Sequence, residues 1–337
     1  MKQKTLIVGI ILSIILLFLI NISVGSVNIP LKEVFRILTG EDASKQTWEY
    51  IITNYRLPKA LVAILVGVGL SLSGLLMQTL FRNPLAGPYV LGISSGASLG
   101  VAFVVLGASF LPVFLTTIFL SHYGLISAAS LGSFLVLLSV LSVAQQLKDT
   151  MAILIVGLMF GSITSAVVSV LTYFSTGEQL KKFTLWALGN LGNQSWEAIL
   201  SLLVITFIGL FLSYLCIKPL NALLLGENYA KSMGINFNQT KNIIIIATSL
   251  LAGSITAFVG PIAFIGLAVP HLAKLLFQTS DHKTLFWATI SLGAIIMLVC
   301  DTIAQMPGFD FVLPINAVTS IIGAPVVIWL LIKKRKF

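Results

Sequence analysis

Residues 83–147 read NPLAGPYVLGISSGASLGVAFVVLGASFLPVFLTTIFLSHYGLISAASLGSFLVLLSVLSVAQQL. None of these 65 positions carries a charged side chain. No water-facing surface can be built from such a stretch. A helix needs about 20 largely apolar residues to cross a bilayer, so the stretch holds two spans. Ser121-His122-Tyr123-Gly124 is the natural break between them. The apolar runs are continuous. That excludes a β-barrel, whose strands alternate in segments of about ten residues.

Runs of the same kind lie on both sides. Residues 5–31, 60–81, 150–177, 198–217, 284–300 and 311–332 each hold one span. Residues 242–273 hold another, followed by a broken segment with Pro261 and Pro270. The count is nine clear spans and one irregular one. Composition agrees: 57% of the 337 residues are hydrophobic and 9% are charged, where a soluble domain carries about 25% charged residues. The chain reads as an all-α polytopic membrane protein with about ten transmembrane helices, a single transmembrane domain over 1–337. The first run follows Lys2 and Lys4 and lacks a small-x-small cleavage site, so it reads as a retained span. Cys216 and Cys300 lie in apolar runs and read as core thiols.

The net charge of +9 is explained by topology. With the N-terminus inside and ten crossings, thirteen basic residues face three acidic ones on the inner side. The outer side has seven against eight. The positive-inside rule then sets both termini in the cytoplasm of a multi-pass cell-membrane protein. The inner basic residues include Lys148, beside the acid Asp149, and the tail 333–337. The charge is orientation charge, not a nucleic-acid footprint.

Two extramembrane stretches are long enough to matter. Residues 25–58 lie outside and read as one or two short helices, with Trp48 and Tyr50 near the interface. Residues 218–236 lie inside and read as two short helices, one starting near Pro219, with Gly226 between them and Gly234 ending the second. They form either an interfacial connector or a rigid knob for a cytoplasmic partner. Residues 177–197 read as a short half-helix at the outer mouth.

Polar and Pro/Gly features inside apolar context are costly and therefore informative. Gln78, Asn83 and Pro84 mark a break after the second span. Gly260, Pro261, Pro270 and His271 mark a second break. Both fall near the end of the second span of a half, which suggests a duplication of two five-helix halves. Gly92, Gly96 and Gly100 repeat every fourth residue, as do Gly67 with Ser71 and Gly69 with Ser73. Such faces let helices approach closely, or they line a path whose walls slide. Asp301 is a helix-packing group or part of a pathway. The histidines His122, His271 and His282 have no metal-ligand spacing. The chain has no Walker loop, HExxH or GxSxG motif.

Several motifs, taken together and in order, resemble the FecCD-type permeases of iron-siderophore, vitamin B12 and heme ABC transporters. They are Tyr55-Arg56-Leu57-Pro58-Lys59, Leu72-Ser73-Gly74-Leu75-Leu76-Met77-Gln78 through Arg82-Asn83-Pro84-Leu85-Ala86, Leu91-Gly92-Ile93-Ser94-Ser95-Gly96-Ala97, Leu225-Gly226-Glu227 through Gly234, and Phe264-Ile265-Gly266 through Pro270-His271. The resemblance implies a BtuC-like ABC importer permease fold and a ferric siderophore as cargo, with heme and cobalamin as alternatives. It implies a second permease subunit, two cytoplasmic ATPase subunits and an extracytoplasmic binding protein. ATP and Mg²⁺ belong to the ATPase, and this chain holds no cofactor or metal and has no catalytic site of its own.

The resemblance assigns Leu225, Gly226, Glu227, Ala230 and Gly234 to ATPase coupling. It assigns Arg56 and Lys59 to docking of the binding protein. Gln78, Asn83, Pro84, Gly92, Gly96, Gly260, Pro261, Pro270 and His271 are candidates for the translocation path or gate. The chain departs from the family pattern at Lys274, at Gln305 and at Asn316, which points to one half of a heterodimer. The alternative from another class is an ion-coupled carrier, followed by a membrane scaffold.

Overall fold

A peptide group in hydrocarbon has no water to bond, so a spanning segment must satisfy its own backbone, and a helix does so locally. The computed structural model describes residues 2–110, 112–144, 150–192, 194–306, 308–309 and 311–334. Among them every regular element is helical. Lys148, Asp149, Asp310, Arg335 and Lys336, used above in the charge balance, lie outside the described residues.

The helices are α1 (Lys2–Ser23), α2 (Leu31–Leu38), α3 (Gln46–Ile51), α4 (Leu57–Leu80), α5 (Ile93–Val105), α6 (Val113–Phe119), α7 (His122–Ala144), α8 (Thr150–Tyr173) and α9 (Gly177–Ala187). They continue as α10 (Trp196–Leu215), α11 (Ile217–Leu224), α12 (Glu227–Ser232), α13 (Phe237–Thr248), α14 (Ser254–Val259), α15 (Ile265–Phe277), α16 (His282–Ala304) and α17 (Ile315–Lys334). Among the described residues six helical segments are long and apolar enough to cross a membrane. Four more are apolar but shorter: Val8–Ser23, Ile93–Ala108, Ile265–Phe277 and Ile315–Trp329.

The charge-free stretch folds as α5, α6 and α7, with α7 starting inside the expected break at His122. The interruption before it is longer than read from sequence. After α5 come the tight turn Leu106–Phe110 and then Pro112, which precedes the first residue of α6. The segment 25–58 contains two short helices, but the second does not stop before the membrane. A π-turn over Ile52–Arg56 joins α3 to α4, so Gln46–Leu80 is continuous. Within α2, Glu33 accepts the Ser44 backbone N–H at 2.9 Å and the Ser44 hydroxyl at 2.7 Å. Those bonds, with Arg36 beside them, hold its carboxyl below the usual carboxylate range.

The chain forms two compact units. One comprises Met1–Leu72, Asn190–Val204 and Ile262–Phe337, and the other comprises Ser73–Gly189 and Ile205–Pro261. Each is assembled from separate parts of the chain. In the first unit α1 runs parallel to α16: Ile10 and Ile11 lie beside Trp287 and Ala288, and Asn21 reaches Asp301. Here α4 meets α16 at paired glycines. A Cβ on Gly67 would overlap the Gly293 carbonyl, and one on Gly293 would overlap the Gly67 carbonyl.

In the second unit α5 packs on α7 and α8. Gly96 and Gly100 face the carbonyls of Gly132 and Ala128, again with no room for a Cβ. The Ser133 hydroxyl donates to the Ile93 carbonyl at 3.0 Å. A buried cluster that includes Met77, Leu91, Ile93, Val140, Ile153 and Ile244 fills the space between these helices and α13.

Gly67→Val places a branched side chain where two backbones touch. It is expected to destabilise the protein by about 1–3 kcal/mol, the usual cost of overpacking. The apparent midpoint of thermal unfolding in detergent measures this, against Gly9→Val, which meets open space.

Candidate functional site

In the second unit a groove of about 440 Å³ opens where the turn Pro88–Leu91 and the start of α5 meet α8. Tyr89, Gly92 and Ser95 line one wall, and Gly157, Leu158, Gly161, Ser162 and Ser165 line the other. The walls come close because α8 carries glycine at the contact: a Cβ on Gly157 would overlap the Val90 carbonyl. Gly92 sits at φ 74°, a left-handed conformation that turns the chain sharply into α5. Beyond the groove, α8 shows large apolar side chains such as Ile155, Met159 and Ile163 outward.

The same unit carries the helical knob. α11 and α12 fold on themselves around Ala222, Leu223 and Ala230, with Ile235 and Phe237 packed against them. Gly226 divides them at φ 120°, ψ 152°, a region open only to glycine. Gly234 ends the second helix with φ 82°. Glu227 pairs with Lys231 at 2.8 Å across one turn. Leu224, Leu225, Tyr229 and Met233 remain exposed, Leu225 at 66%. The helix break at Gly226 and the stop at Gly234 stand where the sequence predicts them, and α11 begins slightly earlier, at Ile217.

Arg82 ties the knob to the break that leads to the groove. Its guanidinium donates to the Leu223 carbonyl at 2.7 Å, and its own backbone is left-handed at φ 48°. Beside it the Asn83 carboxamide accepts from the Leu85 N–H at 2.9 Å, which shapes the turn through half-buried Pro84. Gln78 is buried one turn earlier in α4. In the sequence Arg82 stands out as a motif residue and as a lone charge at the edge of a 65-residue charge-free stretch, and neither signal points to its bond with the knob.

The other path candidates do not gather at the groove. Gly96 is enclosed against α7. Gly260, at φ 81°, packs on the Trp186 carbonyl and on Gly189, at the end of α9, with Pro261 next to it. Pro270 and His271 belong to the first unit, inside α15, where His271 Nδ1 lies 3.2 Å from the Leu267 carbonyl.

Arg56 and Lys59 also lie in the first unit, and both have internal partners. The Arg56 guanidinium is buried and donates to the carbonyls of Ile22 and Ser23, at 2.8 and 2.7 Å, and to that of Val27. The Lys59 ammonium is 3.0 Å from the Asp301 carboxylate, with side chains 18% and 1% exposed. Asp301 also accepts from Asn21 and from Gln305, each at 2.9 Å. The result is a polar clamp joining α1, α4 and α16. Asp301 is thus a helix-packing group, and Gln305 is one of the donors that hold it. Among the described residues no three His, Cys, Asp or Glu side chains converge as metal ligands.

The profile of the FecCD transport family matches residues 12–333. The hemin transport system permease protein HmuU of Yersinia pestis is 35% identical over 330 residues, covering 96% of each chain. The vitamin B12 import system permease protein BtuC of Salmonella typhi is 37% identical over 290 residues, 86% of this chain and 85% of that one. A solved structure, described as an inward-facing conformation of a candidate metal-chelate type ABC transporter, superposes with a TM-score of 0.84 at 28% identity. It covers 98% of this chain and 99% of its own.

Asp301→Asn removes the charge that Lys59 faces while keeping the side-chain shape. The expected loss is about 1–3 kcal/mol, the worth of a charge-assisted hydrogen bond. It reads out as a lower unfolding midpoint, which Lys59→Met in the same chain should largely restore, because no unpaired cation is then left behind.

Proposed function

This chain belongs to the FecCD transport family and is an ABC transporter permease, and on that premise we propose that it carries a ferric siderophore. As an ABC importer permease it passes substrate from an extracytoplasmic binding protein across the membrane. The observation that carries the reading is the pairing, within one unit, of a groove walled mostly by glycine and serine with an apolar knob. Small, weakly polar walls suit a bulky chelate that must slide without being held. An exposed crown of Leu225, Tyr229 and Met233 suits a hydrophobic cleft on a cytoplasmic ATPase. The relatives named for hemin and vitamin B12 keep those two chelates as the alternatives to test.

In this reading the six long and four shorter apolar helices make ten spans in two five-helix halves, with both termini cytoplasmic. Two permease subunits, this chain and a partner that is not its copy, enclose the path, and two ATPase subunits bind the knobs. ATP binding and hydrolysis occur on those subunits, and the motion enters through Leu225, Gly226, Glu227, Ala230 and Gly234. Arg82 passes it to Asn83 and Pro84 and so toward Gly92. Gln78, Gly96, Gly260, Pro261, Pro270 and His271 are assigned to the packed walls and hinges of the path. Arg56 and Lys59 serve the docking rim through shape: their internal bonds fix the segment that the binding protein meets.

The deciding experiment is uptake by liposomes holding the complex purified with this chain. Accumulation of ferric siderophore that needs both the binding protein and ATP is expected. Accumulation driven by an ion gradient without the ATPase would replace the importer with a carrier. Accumulation of heme or cobalamin alone would correct the substrate.

Gly226→Val forces a β-branched residue into a glycine-only conformation at a cost of about 1–3 kcal/mol. It is expected to reduce ATPase co-purification or turnover while the chain still inserts. Gly161→Leu, which fills the groove, should leave ATP hydrolysis in place and lower uptake at least tenfold. Equal uptake by this variant would remove the groove from the path.

A further inference from the structure

The first unit holds a second groove, about 530 Å³ in volume, toward the N-terminal ends of α1 and α16, whereas the polar clamp lies near their C-terminal ends. Ile10, Ile11 and Phe277 give it an apolar lining, and Lys283, Thr284 and Trp287 line it as well. Lys283 and Trp287 are one helical turn apart, so they stand on the same face of α16. Lys283 is exposed and forms no ion pair among the described residues. Trp287 is 58% exposed although it follows the helix start by little more than a turn. Thr284 is tied into the helix cap, its hydroxyl 3.1 Å from Asp281.

We propose that this groove binds one anionic phospholipid, with the phosphate at Lys283, the Trp287 ring at the glycerol level and an acyl chain along Ile10, Ile11 and Phe277. The two helices run parallel, so their N-terminal ends reach the same membrane surface. In sequence Lys2 and Lys4 open α1 as Lys283 opens α16, and Asp281 is the acid in the turn before α16. An anionic headgroup is the partner such an end attracts. Tryptophan belongs at the headgroup level, where its ring is half apolar and half hydrogen-bonding. A second protein subunit fits the rim less well, because interface cores are depleted of lysine. The site belongs to the first unit, and the proposal holds whether or not the transport reading does.

The test is tryptophan quenching in bilayers of brominated phosphatidylglycerol or brominated phosphatidylcholine. The Trp287→Phe variant supplies the background of the other four tryptophans. The Trp287 component is expected to report about a fivefold preference for phosphatidylglycerol, the factor matching ~1 kcal/mol per lysine at an anionic surface. Lys283→Gln, at an exposed position, should bring the two lipids near parity, while Lys182→Gln should leave the preference intact. Equal quenching by both lipids in the unmodified chain, or an unchanged preference in Lys283→Gln, would overturn the site. Absence of any Trp287-dependent quenching would mean that protein covers this face, and would overturn it equally.

Discussion

Hydrocarbon does not push apolar helices together, because lipid tails solvate them as well as another helix does. What holds such helices is the closeness of their contact. That makes backbone-to-backbone approach at small residues the constraint on which this protein depends. Both units use it. In one, Gly67 and Gly293 each face the other's carbonyl, and in the other Gly96 faces Gly132. Where a side chain would only thicken the contact, glycine lets dispersion and weak Cα–H···O contacts act at short range. The groove depends on small residues too, since six of its eight lining residues are glycine or serine.

The second demand is that any charge held among apolar helices be matched there. Asp301 is nearly sealed from solvent and gathers Lys59, Asn21 and Gln305 around one carboxylate. Among the described residues Arg56 has no acid partner and is met instead by two carbonyls at the end of α1 and one just beyond it. Those carbonyls have no helical donors left, so a guanidinium there satisfies both sides at once. A basic residue near a helix end therefore has two opposite uses, as free charge for a partner or as a cap for its own fold. The bonds at Arg56 and Lys59 are of the second sort.

The knob follows the same economy of shape. Two helices of eight and six residues are too short to be stable alone. They hold because Ala222 and Ala230 let them close on Leu223 and because Gly226 makes the turn. Arg82 then anchors the pair to the end of α4 through a single carbonyl. In the proposed importer, that bond puts the surface an ATPase would move and the entrance of α5 on one rigid connection.

The amino-acid sequence alone determined the helical membrane class, the short helices around Gly226 and the family. Those properties depend on local pattern: uninterrupted hydrophobic length, punctuation by Gly and Pro, and motif order. It also marked 46–80 imperfectly, because a π-turn at Ile52–Arg56 continues the helix without changing the residue types that precede a span. Only the tertiary structure decided which way each polar side chain turns. Nothing in the spacing of Lys59 and Asp301, or of Arg82 and Leu223, reveals that they meet. Each pair is far apart along the chain, and its contact exists only once the helices have packed. The same packing separated Gly92, which faces the groove, from Gly96, which is enclosed one turn later. A period of four puts two residues on one helix face, but what lies opposite each is settled by its neighbours.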